Sequence, residues 1–468
     1  MKIWIIALSM SSLLGIVICG EVQNDLEEES FNATTLSEVE LKASKTSIVA
    51  YNKTRIAADD IQKEVERLES KCEELGSPCL VTTLKSLGVF QIEYETIDHP
   101  SIDELGLNGN LEVGVEDSVI HIVSTIPPND SKYAEQWYYN SKFSDINVEE
   151  GWKEYQSDKV GGNSDGPSVV VAVVDTGIDY THPDLINRMW MNQKEIDGVD
   201  GVDDDENGII DDYYGADFTV TTSGTGDPID KNSHGTHCAG IIAAEENNDV
   251  GIAGVASFTQ GKVKLMAVKV LDDHGSGTIS GLLAGLNYAI EMGAKFSSHS
   301  WGASDDIAGT YESVWNQVLQ NNLDHLFIAA AGNEAQEIDD NYRPLPCGLV
   351  EPNLMCVAST LYYGSISYES NYGEKYVHVM APGHEIYSTV PGGTHAFMSG
   401  TSMSAPMVSG LAALVMTMRK ELTSTEVKEV ILANVERNIN YNGLVSSKGL
   451  IDVGATILAL KGKTITGM

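Results

Sequence analysis

The 468-residue chain carries 29 Lys and Arg against 68 Asp and Glu, a net charge of −39, and 42% of its residues are hydrophobic. This hydrophobic share is too high for an acidic disordered chain, and the length predicts two or three domains with a large buried core. The negative charge argues against nucleic acid and anionic lipid surfaces as partners, because both require a positive protein face. We therefore expect a globular, strongly anionic protein.

The N-terminus has the pattern of a secretory signal peptide. Lys2 precedes an apolar run over residues 3–19, and polar, acidic sequence follows Gly20. We expect residues 1–20 to be cleaved during export, which makes the protein secreted; a retained anchor is the alternative. No long apolar run recurs that could build a membrane bundle, so we expect no stable membrane span after signal removal.

Five cysteines follow the predicted signal, and this odd number leaves one unpaired in an oxidising route. Two close pairs are candidates for short-loop disulfides, although spacing cannot prove connectivity: Cys72 with Cys79, and Cys347 with Cys356. Sequons predict glycosylation at three positions, all before residue 135: Asn32, Asn52 and Asn129.

Residues 21–125 predict a small α+β unit. Strand patterns occur at 47–51, 89–92 and 119–122, and a charged amphipathic helix is predicted over 57–75. The stretch 124–130 contains two prolines and polar residues, which is the composition of an exposed linker. We place a domain boundary there, between residues 125 and 126.

Residues 126–468 predict one α/β domain. The run 168–174 is continuously apolar, as in a strand that is buried on both faces of a parallel sheet. Strand and helix patterns then follow along the chain, which favours a parallel sheet flanked by helices on both faces. The further strands are predicted at 263–270, 326–331 and 354–358, and the helices at 279–292, 311–320, 402–418 and 425–435.

Two motifs place a carboxylate and an imidazole near the expected carboxyl edge of this sheet. Asp175 ends the first strand and begins an Asp-Thr-Gly turn, although strand-to-loop turns of this type are ordinary in α/β proteins. His234 opens a helical run with His237 three residues on. Histidines at this spacing could ligate zinc, but the general-base Glu of the HExxH pattern is absent, so one catalytic and one packing histidine is the better interpretation.

Two further motifs could complete a site for acyl transfer. Ser402 lies at the start of an apolar helix, where free backbone N–H groups favour negative charge, although an ordinary N-cap serine would occupy the same place. Asn333 follows the predicted strand 326–331, and its amide could donate to an oxyanion; in isolation it is a turn residue.

Together and in this order, the four segments resemble the subtilisin-like serine proteases, the subtilases, over residues 126–468. The resemblance implies that Asp175 orients the imidazole, His234 acts as general base and then general acid, and Ser402 attacks the scissile carbonyl. It also implies an oxyanion hole made by Asn333 and the Ser402 N–H. His237 then has a structural role.

The resemblance also locates the substrate. Gly275, Ser276 and Gly277 match a strand that pairs with the peptide backbone. The primary pocket is expected to be flanked by two segments: Ser300, Trp301 and Gly302, and Ala330, Ala331 and Gly332. Trp301 replaces a common leucine and Met407 a common histidine, which predicts a narrowed pocket. Cys238 matches the thiol-bearing branch of the family, so we expect it to be the unpaired cysteine and to pack.

An acidic loop is the candidate for a calcium site. Its oxygens follow an EF-hand spacing at positions 1, 3 and 5 with Gly208 at position 6, but position 12 is Tyr214 instead of Glu. The predicted ligands are Asp203, Asp205, Asn207, Ile209 and Asp212; a solvated acidic loop is the alternative. A second calcium site is implied by the resemblance, with Asp130, Asp184, Asn248 and carbonyls of Glu246, Val250 and Ile252.

Residues 21–125 resemble the subtilase prosegment, which assists folding and blocks the cleft until it is cut off near residues 122–131. The sequence therefore predicts a secreted, calcium-stabilised serine endopeptidase made as a zymogen, monomeric by resemblance and acting on proteins or peptides. The rival hypotheses are a pseudo-protease, a zymogen kept permanently occluded by its prosegment, and a calcium-dependent adhesive protein.

Overall fold

The computed structural model describes residues 4–8, 15–19, 46–51, 58–75, 79–84, 89–94, 111–116, 128–157, 168–303 and 305–461. The chain divides into two compact units, Met1–Val123 and Ser124–Met468. The predicted strand at 119–122 and the predicted glycosylation sites Asn32 and Asn52 lie outside the described residues.

The first unit combines an antiparallel sheet with one helix. Within its described parts, β3 to β6 form a four-stranded sheet in the order β4-β5-β3-β6, and β1 pairs with β2. The elements are β1 Trp4–Leu8, β2 Gly15–Cys19, β3 Thr46–Tyr51, α1 Ala58–Glu74, β4 Cys79–Leu84, β5 Val89–Tyr94 and β6 Leu111–Glu116. Helix α1 buries Val65, Leu68 and Cys72, whose spacing of three and four residues makes one apolar face.

The second unit alternates strands and helices along the chain. Its first half contains α2 Val148–Ser157, β7 Val169–Asp175, α3 Gln193–Asp197, β8 Gly215–Asp217, α4 His234–Ala243, β9 Val263–Lys269, α5 Ile279–Glu291, β10 Phe296–His299 and α6 Asp305–Asn321. Its second half contains β11 Leu326–Ala330, β12 Leu354–Thr360, β13 Val379–Pro382, β14 Ile386–Val390, β15 Thr394–Met398, α7 Thr401–Met418, α8 Ser424–Ala433, β16 Glu436–Arg437, β17 Gly449–Leu450 and α9 Val453–Leu460.

A nine-stranded sheet in the order β16-β17-β13-β12-β11-β10-β7-β9-β8 forms the centre of this unit. The pairs from β17 to β8 are parallel, and only the edge pair β16–β17 is antiparallel. The predicted α/β class with a mostly parallel sheet is confirmed.

Alternate residues of β7 explain why helices cover both faces of the sheet. Val171 and Val173 belong to one core with α4, α7, α8 and α9, whereas Ala172 and Val174 belong to the other core with α5 and α6. A parallel strand that buries both faces needs a continuous apolar run, which is what this segment supplies.

Helix α7 passes through the interior of the unit. It is the one helix of the described residues that is long and apolar enough to cross a membrane, and 89% of that window is buried in the protein. Packing against the sheet therefore accounts for its composition.

The end of the expected linker is packed against the protein. Pro128 and Asp130 are buried, and the Lys132 N–H donates to the Gly251 carbonyl at 2.7 Å. The prediction of an exposed stretch reaching residue 130 is wrong, because the buried Asp130 carboxylate accepts the Asn247 N–H.

Candidate active site

Asp175 and His234 form a hydrogen-bonded pair at the carboxyl edge of the sheet. Asp175 ends β7 and His234 begins α4, and His234 Nδ1 lies 2.7 Å from Asp175 Oδ1. A carboxylate can only accept, so Nδ1 carries the proton and Nε2 is left as an acceptor. The Asp175 side chain is 1% exposed and that of His234 is 26% exposed, so the pair is shielded but the imidazole remains accessible.

The two histidines of α4 differ in their electrostatic environment. Burial lowers the pKa of His234, but the charge of Asp175 and its hydrogen bond outweigh burial, and the pKa lies above the ordinary 6.5. Burial lowers the pKa of His237 to about 4. His237 Nε2 lies 3.0 Å from the Ile386 carbonyl oxygen and 3.1 Å from that of Ala396, so this ring ties α4 to the β14–β15 hairpin as a neutral packing residue.

The backbone at the start of helix α4 packs directly against the backbone at the end of β7. A Cβ built on Gly235 would lie 2.2 Å from the Gly177 carbonyl oxygen and 3.1 Å from Asp175 Cβ. A residue without a side chain is required here, because any Cβ would push His234 away from Asp175.

Ser402 is the second residue of α7 and lies beside the end of β10. Its Oγ donates to the Ser300 carbonyl at 2.9 Å, and Ser300 Oγ donates to the Ser402 carbonyl at 2.8 Å. The hydroxyl thus hydrogen-bonds to the backbone in place of His234. In sites without bound substrate, hydrogen bonds between catalytic groups are often long, and they commonly tighten only when substrate is bound.

Cys238 connects Ser402 with the Asp175–His234 pair. Its sulfur lies 3.4 Å from the Ser402 carbonyl oxygen, and within 4.8 Å of one ligand atom each on Asp175 and His234. The thiol is buried and unpaired, as expected, and burial raises its pKa, so it is a neutral packing group.

Asn333 follows β11 and is fixed by the residue before Ser402. Its Oδ1 accepts the Thr401 N–H at 2.9 Å and the Thr401 hydroxyl at 3.1 Å. A backbone N–H must face an oxygen, so the contact sets the orientation of the amide and turns its NH₂ group elsewhere. The Asn333 NH₂ and the amides in the first turn of α7 are the donors that an oxyanion would need.

A cavity of about 420 Å³ opens beside these residues. Its lining includes the six predicted pocket residues, Ser300, Trp301, Gly302, Ala330, Ala331 and Gly332, together with Asn333 and Ser402. It also includes Glu334, Tyr342 and Cys347, which the sequence analysis did not assign to the pocket. Trp301 is half-buried, and its indole N–H donates to the Val174 carbonyl at 3.0 Å, next to Asp175.

The predicted substrate-binding segment lies between β9 and α5 and is not part of a strand in the structure. Gly275, Ser276 and Gly277 are all exposed. Asn232 Nδ2 donates to the Asp273 carbonyl at 3.0 Å, which holds this segment close to the start of α4. The Ser276 N–H donates to Asp272 Oδ1 at 3.0 Å and the Ser276 carbonyl accepts the Asp272 N–H at 2.8 Å, so an extended peptide that pairs here would have to exchange these bonds.

The structure brings the predicted ligands of the acidic loop together and adds Glu195. Ligand oxygens of Glu195, Asp203 and Asp205 lie within 4.8 Å of one another. Glu195 Oε1 accepts the Asp204 and Asp205 N–H groups at 2.7 and 3.0 Å. Sequence reasoning missed Glu195 because it lies upstream of the loop, in α3.

The buried end of this loop is Asp212. Asn207 Nδ2 and the Tyr288 hydroxyl donate to Asp212 Oδ2 at 3.0 and 2.5 Å, and the Ile209 N–H donates to Asn207 Oδ1 at 2.8 Å. Burial raises the pKa of Asp212 to about 6. A cluster of hard oxygen donors with a buried carboxylate fits the ligand chemistry of Ca²⁺.

The second predicted ligand set also lies together. Burial raises the pKa of Asp130 to about 6, and the charge of Asp184 adds to this. Asn248 Nδ2 donates to Asp184 Oδ1 at 2.9 Å, the Ile252 N–H donates to Asp184 Oδ2 at 2.8 Å, and the Val250 N–H donates to Asn248 Oδ1 at 2.8 Å. Among the described residues Asp130 Oδ1 is buried without a hydrogen-bond partner, which suits a cation. The Glu246 side chain is engaged by Arg188, which leaves its carbonyl for the predicted role.

The disulfide and glycosylation predictions fall partly within the described residues. Cys347 and Cys356 are joined by a disulfide with Cα atoms 5.5 Å apart. Cys72 is disulfide-bonded, and the side chain of Cys79 lies outside those described. Asn129 is exposed, and its side-chain oxygen accepts the Asp249 N–H at 3.3 Å.

Comparison with known proteins identifies relatives of this chain. The sequence model described as the subtilase family matches residues 166–450. The chain is 33% identical over 315 residues to subtilisin-like protease 1 of Plasmodium falciparum (isolate 3D7), an alignment covering 63% of this chain and 44% of that protein. It is 33% identical over 328 residues to thermitase of Thermoactinomyces vulgaris, covering 69% of this chain and 97% of that protein.

A solved structure described as proteases from Pseudoalteromonas arctica PAMC 21717 shares the fold, with a TM-score of 0.54 at 24% identity, covering 72% of this chain and 100% of that chain. The chain spans less than half the length of the Plasmodium relatives that it matches, at 44%, 46% and 48% for the three species.

Proposed function

The chain belongs to the subtilase family of serine peptidases, and on that premise we propose that it is an endopeptidase that cleaves peptide bonds through an acyl-enzyme on Ser402. The observation that carries this proposal is the 2.7 Å contact between His234 Nδ1 and Asp175 Oδ1, which leaves His234 Nε2 free to take a proton. Cys238 lies against both this pair and the Ser402 carbonyl, which supports a single site.

In the proposed reaction, the Ser402 hydroxyl leaves the Ser300 carbonyl and gives its proton to His234 Nε2 as Oγ attacks the substrate carbonyl. The Asp175 carboxylate stabilises the imidazolium that forms. The Asn333 NH₂ group and the Ser402 N–H receive the oxyanion of the tetrahedral intermediate. His234 returns the proton to the leaving amine, and water then hydrolyses the acyl-enzyme by the same path in reverse.

The proposed substrates are proteins or peptides bound in an extended form. The Gly275–Gly277 segment would pair with the peptide as an added strand, exchanging the bonds that Ser276 makes with Asp272. The 420 Å³ cavity would take the side chain that precedes the cleaved bond. The half-buried Trp301 lines that cavity, which supports a pocket narrowed on one side.

We propose that Ca²⁺ stabilises the second unit. The acidic loop would hold it through Asp203, Asp205, Asn207, Ile209 and Asp212, with Glu195 added; a second ion would lie at Asp130, Asp184 and Asn248. The ion would supply positive charge that offsets the repulsion and burial of these carboxylates. The proposal is supported by the raised pKa of Asp212 and Asp130 and by the unpaired Asp130 Oδ1.

We further propose that the protein is exported and made as a zymogen. Residues 1–20 would be the signal, 21–125 a prosegment that inhibits the cleft, and 126–468 a monomeric catalytic domain, glycosylated where its sequons stay accessible. The division of the chain after Val123 supports a separable N-terminal unit.

The test is hydrolysis of an internally quenched peptide library by the full chain produced in a secreting host, with mass spectrometry of the products. We expect the wild type to cleave internal bonds and Ser402→Ala to cleave none. Ser409→Ala is the matched control, since Ser409 lies in the same helix with its hydroxyl bonded to the Ala405 carbonyl at 3.1 Å. Equal cleavage by wild type and Ser402→Ala would contradict the proposal.

A further inference from the structure

A buried carboxylate outside the proposed triad lies behind the start of α4. Asp230 is 2% exposed. Its Oδ1 accepts from Thr176 Oγ1 at 3.0 Å, the Asn232 N–H at 2.8 Å and the Ser233 N–H at 3.1 Å. Its Oδ2 accepts from the Thr236 N–H at 3.0 Å and the Thr236 hydroxyl at 2.6 Å. Both oxygens are thus committed to residues that surround His234.

Helix α4 is not capped by its own N-cap residue. Ser233 has a φ of 107° in the left-handed region, and its side chain makes no capping bond. The N–H groups of the first turn are taken by other side chains: Gly235 donates to Thr176 Oγ1 at 2.9 Å, and Thr236 donates to Asp230 Oδ2. Asp230 therefore acts as the capping carboxylate at the positive end of the helix that begins with His234.

Thr176 extends this network to the other member of the pair. Its N–H donates to Asp175 Oδ1 at 2.7 Å. The Thr176 hydroxyl donates a hydrogen bond to Asp230, so the lone pairs of its oxygen are left to accept the Gly235 N–H. A continuous path of hydrogen bonds runs from Asp230 through Thr176 to the end of β7 on one side and to the start of α4 on the other.

We propose that Asp230 is a positioning residue for the Asp175–His234 pair, holding the first turn of α4 against the end of β7 through Thr176 and Thr236. Without it, the helix start would lose its cap and its tie to Thr176, while Gly235 would still be pressed against the Gly177 carbonyl. This inference rests on the proposed function and assigns a role to a residue outside the triad.

Asp230 also contributes charge. The charged groups near His234 are Asp175 at the end of β7, Asp230 in the loop before α4, and the Lys269 ammonium of β9, which donates to the Thr176 carbonyl at 2.7 Å. On α4 itself, burial keeps His237 and Cys238 neutral. After Asp175, the charge of Asp230 is a further cause that raises the pKa of His234. Removing the charge of Asp230 should therefore lower the pKa of His234.

The test compares kcat and KM from pH 5 to 10 for the processed wild type, Asp230→Asn and Asp227→Asn, with a quenched peptide cleaved by the wild type. For Asp230→Asn we expect kcat to fall by about tenfold or more and KM to stay within about threefold of the wild type. The acid limb of the pH profile, which is the rise in activity as His234 loses its proton, should move to lower pH. Asp227→Asn is the matched control, because Asp227 lies in the same loop but is exposed. It should leave both the rate and the limb unchanged.

A role confined to helix capping would be indicated if Asp230→Asn lowered only the melting temperature and kept the wild-type kcat and acid limb; that result would overturn the proposal. If Asp230→Asn does not accumulate, Thr176→Val replaces it, since it keeps the charge and removes the linking hydroxyl. We expect Thr176→Val to lower kcat with an unmoved acid limb, and a wild-type kcat would overturn the proposal.

Nuclear magnetic resonance of ¹⁵N-histidine-labelled full chain, carrying Ser402→Ala, separates this inference from the proposed peptidase activity. It reports the His234 titration without turnover. A lower His234 pKa on adding Asp230→Asn supports the inference even if the wild type cleaves no peptide. An unchanged His234 titration contradicts it even if the wild type is an active peptidase.

Discussion

Gly235→Ala is a single methyl substitution that should disable the site while leaving the protein folded. The added Cβ would lie 2.2 Å from the Gly177 carbonyl oxygen, a backbone atom at the end of β7. Ordinary carbon–oxygen contacts need about 3.3 Å, so the start of α4 must move by about 1 Å. The bond between His234 Nδ1 and Asp175 Oδ1, now 2.7 Å, would then exceed hydrogen-bonding distance. A misplacement of this size costs about 10²-fold in turnover.

Two opposing terms set the stability of Gly235→Ala. Alanine in a helix gains about 1 kcal/mol over glycine, while overpacking costs about 1–3 kcal/mol, so we expect a net loss of about 0–2 kcal/mol. Gly309→Ala is the matched control, because Gly309 lies in α6 and a Cβ there would meet nothing within 4 Å. It should raise stability slightly and leave kcat unchanged.

The assay is kcat on a quenched peptide together with thermal unfolding of the same samples. A Gly235→Ala variant with kcat within threefold of wild type would refute the argument that contact between α4 and β7 fixes the catalytic geometry. A variant that loses activity only because it unfolds at the assay temperature would be revealed by its melting curve.

Four further outcomes are expected from the geometry of the site. Because only neutral His234 can accept the Ser402 proton, and its pKa is raised, kcat/KM should rise with pH through a midpoint above 6.5; a midpoint well below 6.5 would contradict the Asp175 contact. Because the pKa of His234 is raised in the folded protein, the Asp175–His234 pair contributes most to the free energy of unfolding below pH 6.5. This contribution should be lost as pH rises through the His234 midpoint. Chelation should lower the melting temperature by about 4 °C for each calcium ion that stands at 100 times its Kd, and Asp212→Asn should reduce that calcium-dependent part; an unchanged melting curve counts against the metal proposal. Trp301→Phe removes the indole donor to the Val174 carbonyl, so KM for peptides with large side chains in the cavity should change several-fold, with little effect on small ones; an equal change for both would argue against a pocket role.

The elements that could be predicted from the sequence are those whose burial leaves a regular pattern. The apolar run of β7 was predicted within one residue of its observed bounds, and α7 begins at Thr401, one residue before the predicted start. Both are fully surrounded by core, so nearly every position must be apolar.

Elements at the surface were harder to predict. The pattern over 311–320 predicts a helix, but α6 extends over Asp305–Asn321, because the added first turns are polar and small and carry no apolar periodicity. The β14–β15 hairpin was not predicted, since β15 is largely exposed and its residues do not alternate clearly.

At the site, sequence motifs named the chemical groups but not what holds them. Glu195 accepts backbone N–H groups of the acidic loop, which only folding brings near it. Asp230 accepts backbone N–H groups from the residues just after it, but its bond to Thr176, 54 residues away, cannot be predicted from local spacing. The direction of the Ser402 hydroxyl, toward the Ser300 carbonyl, is a choice of side-chain torsion that sequence does not encode.

Labelling with a fluorophosphonate would show whether Ser402 is a nucleophile activated by His234. The full chain and its processed form would be treated with the probe, digested and mapped by mass spectrometry, beside Ser402→Ala and His234→Ala. We expect an adduct on Ser402 in the wild type and none at that position in either variant. An adduct on another residue, or Ser402 labelling at the wild-type rate in His234→Ala, would contradict it.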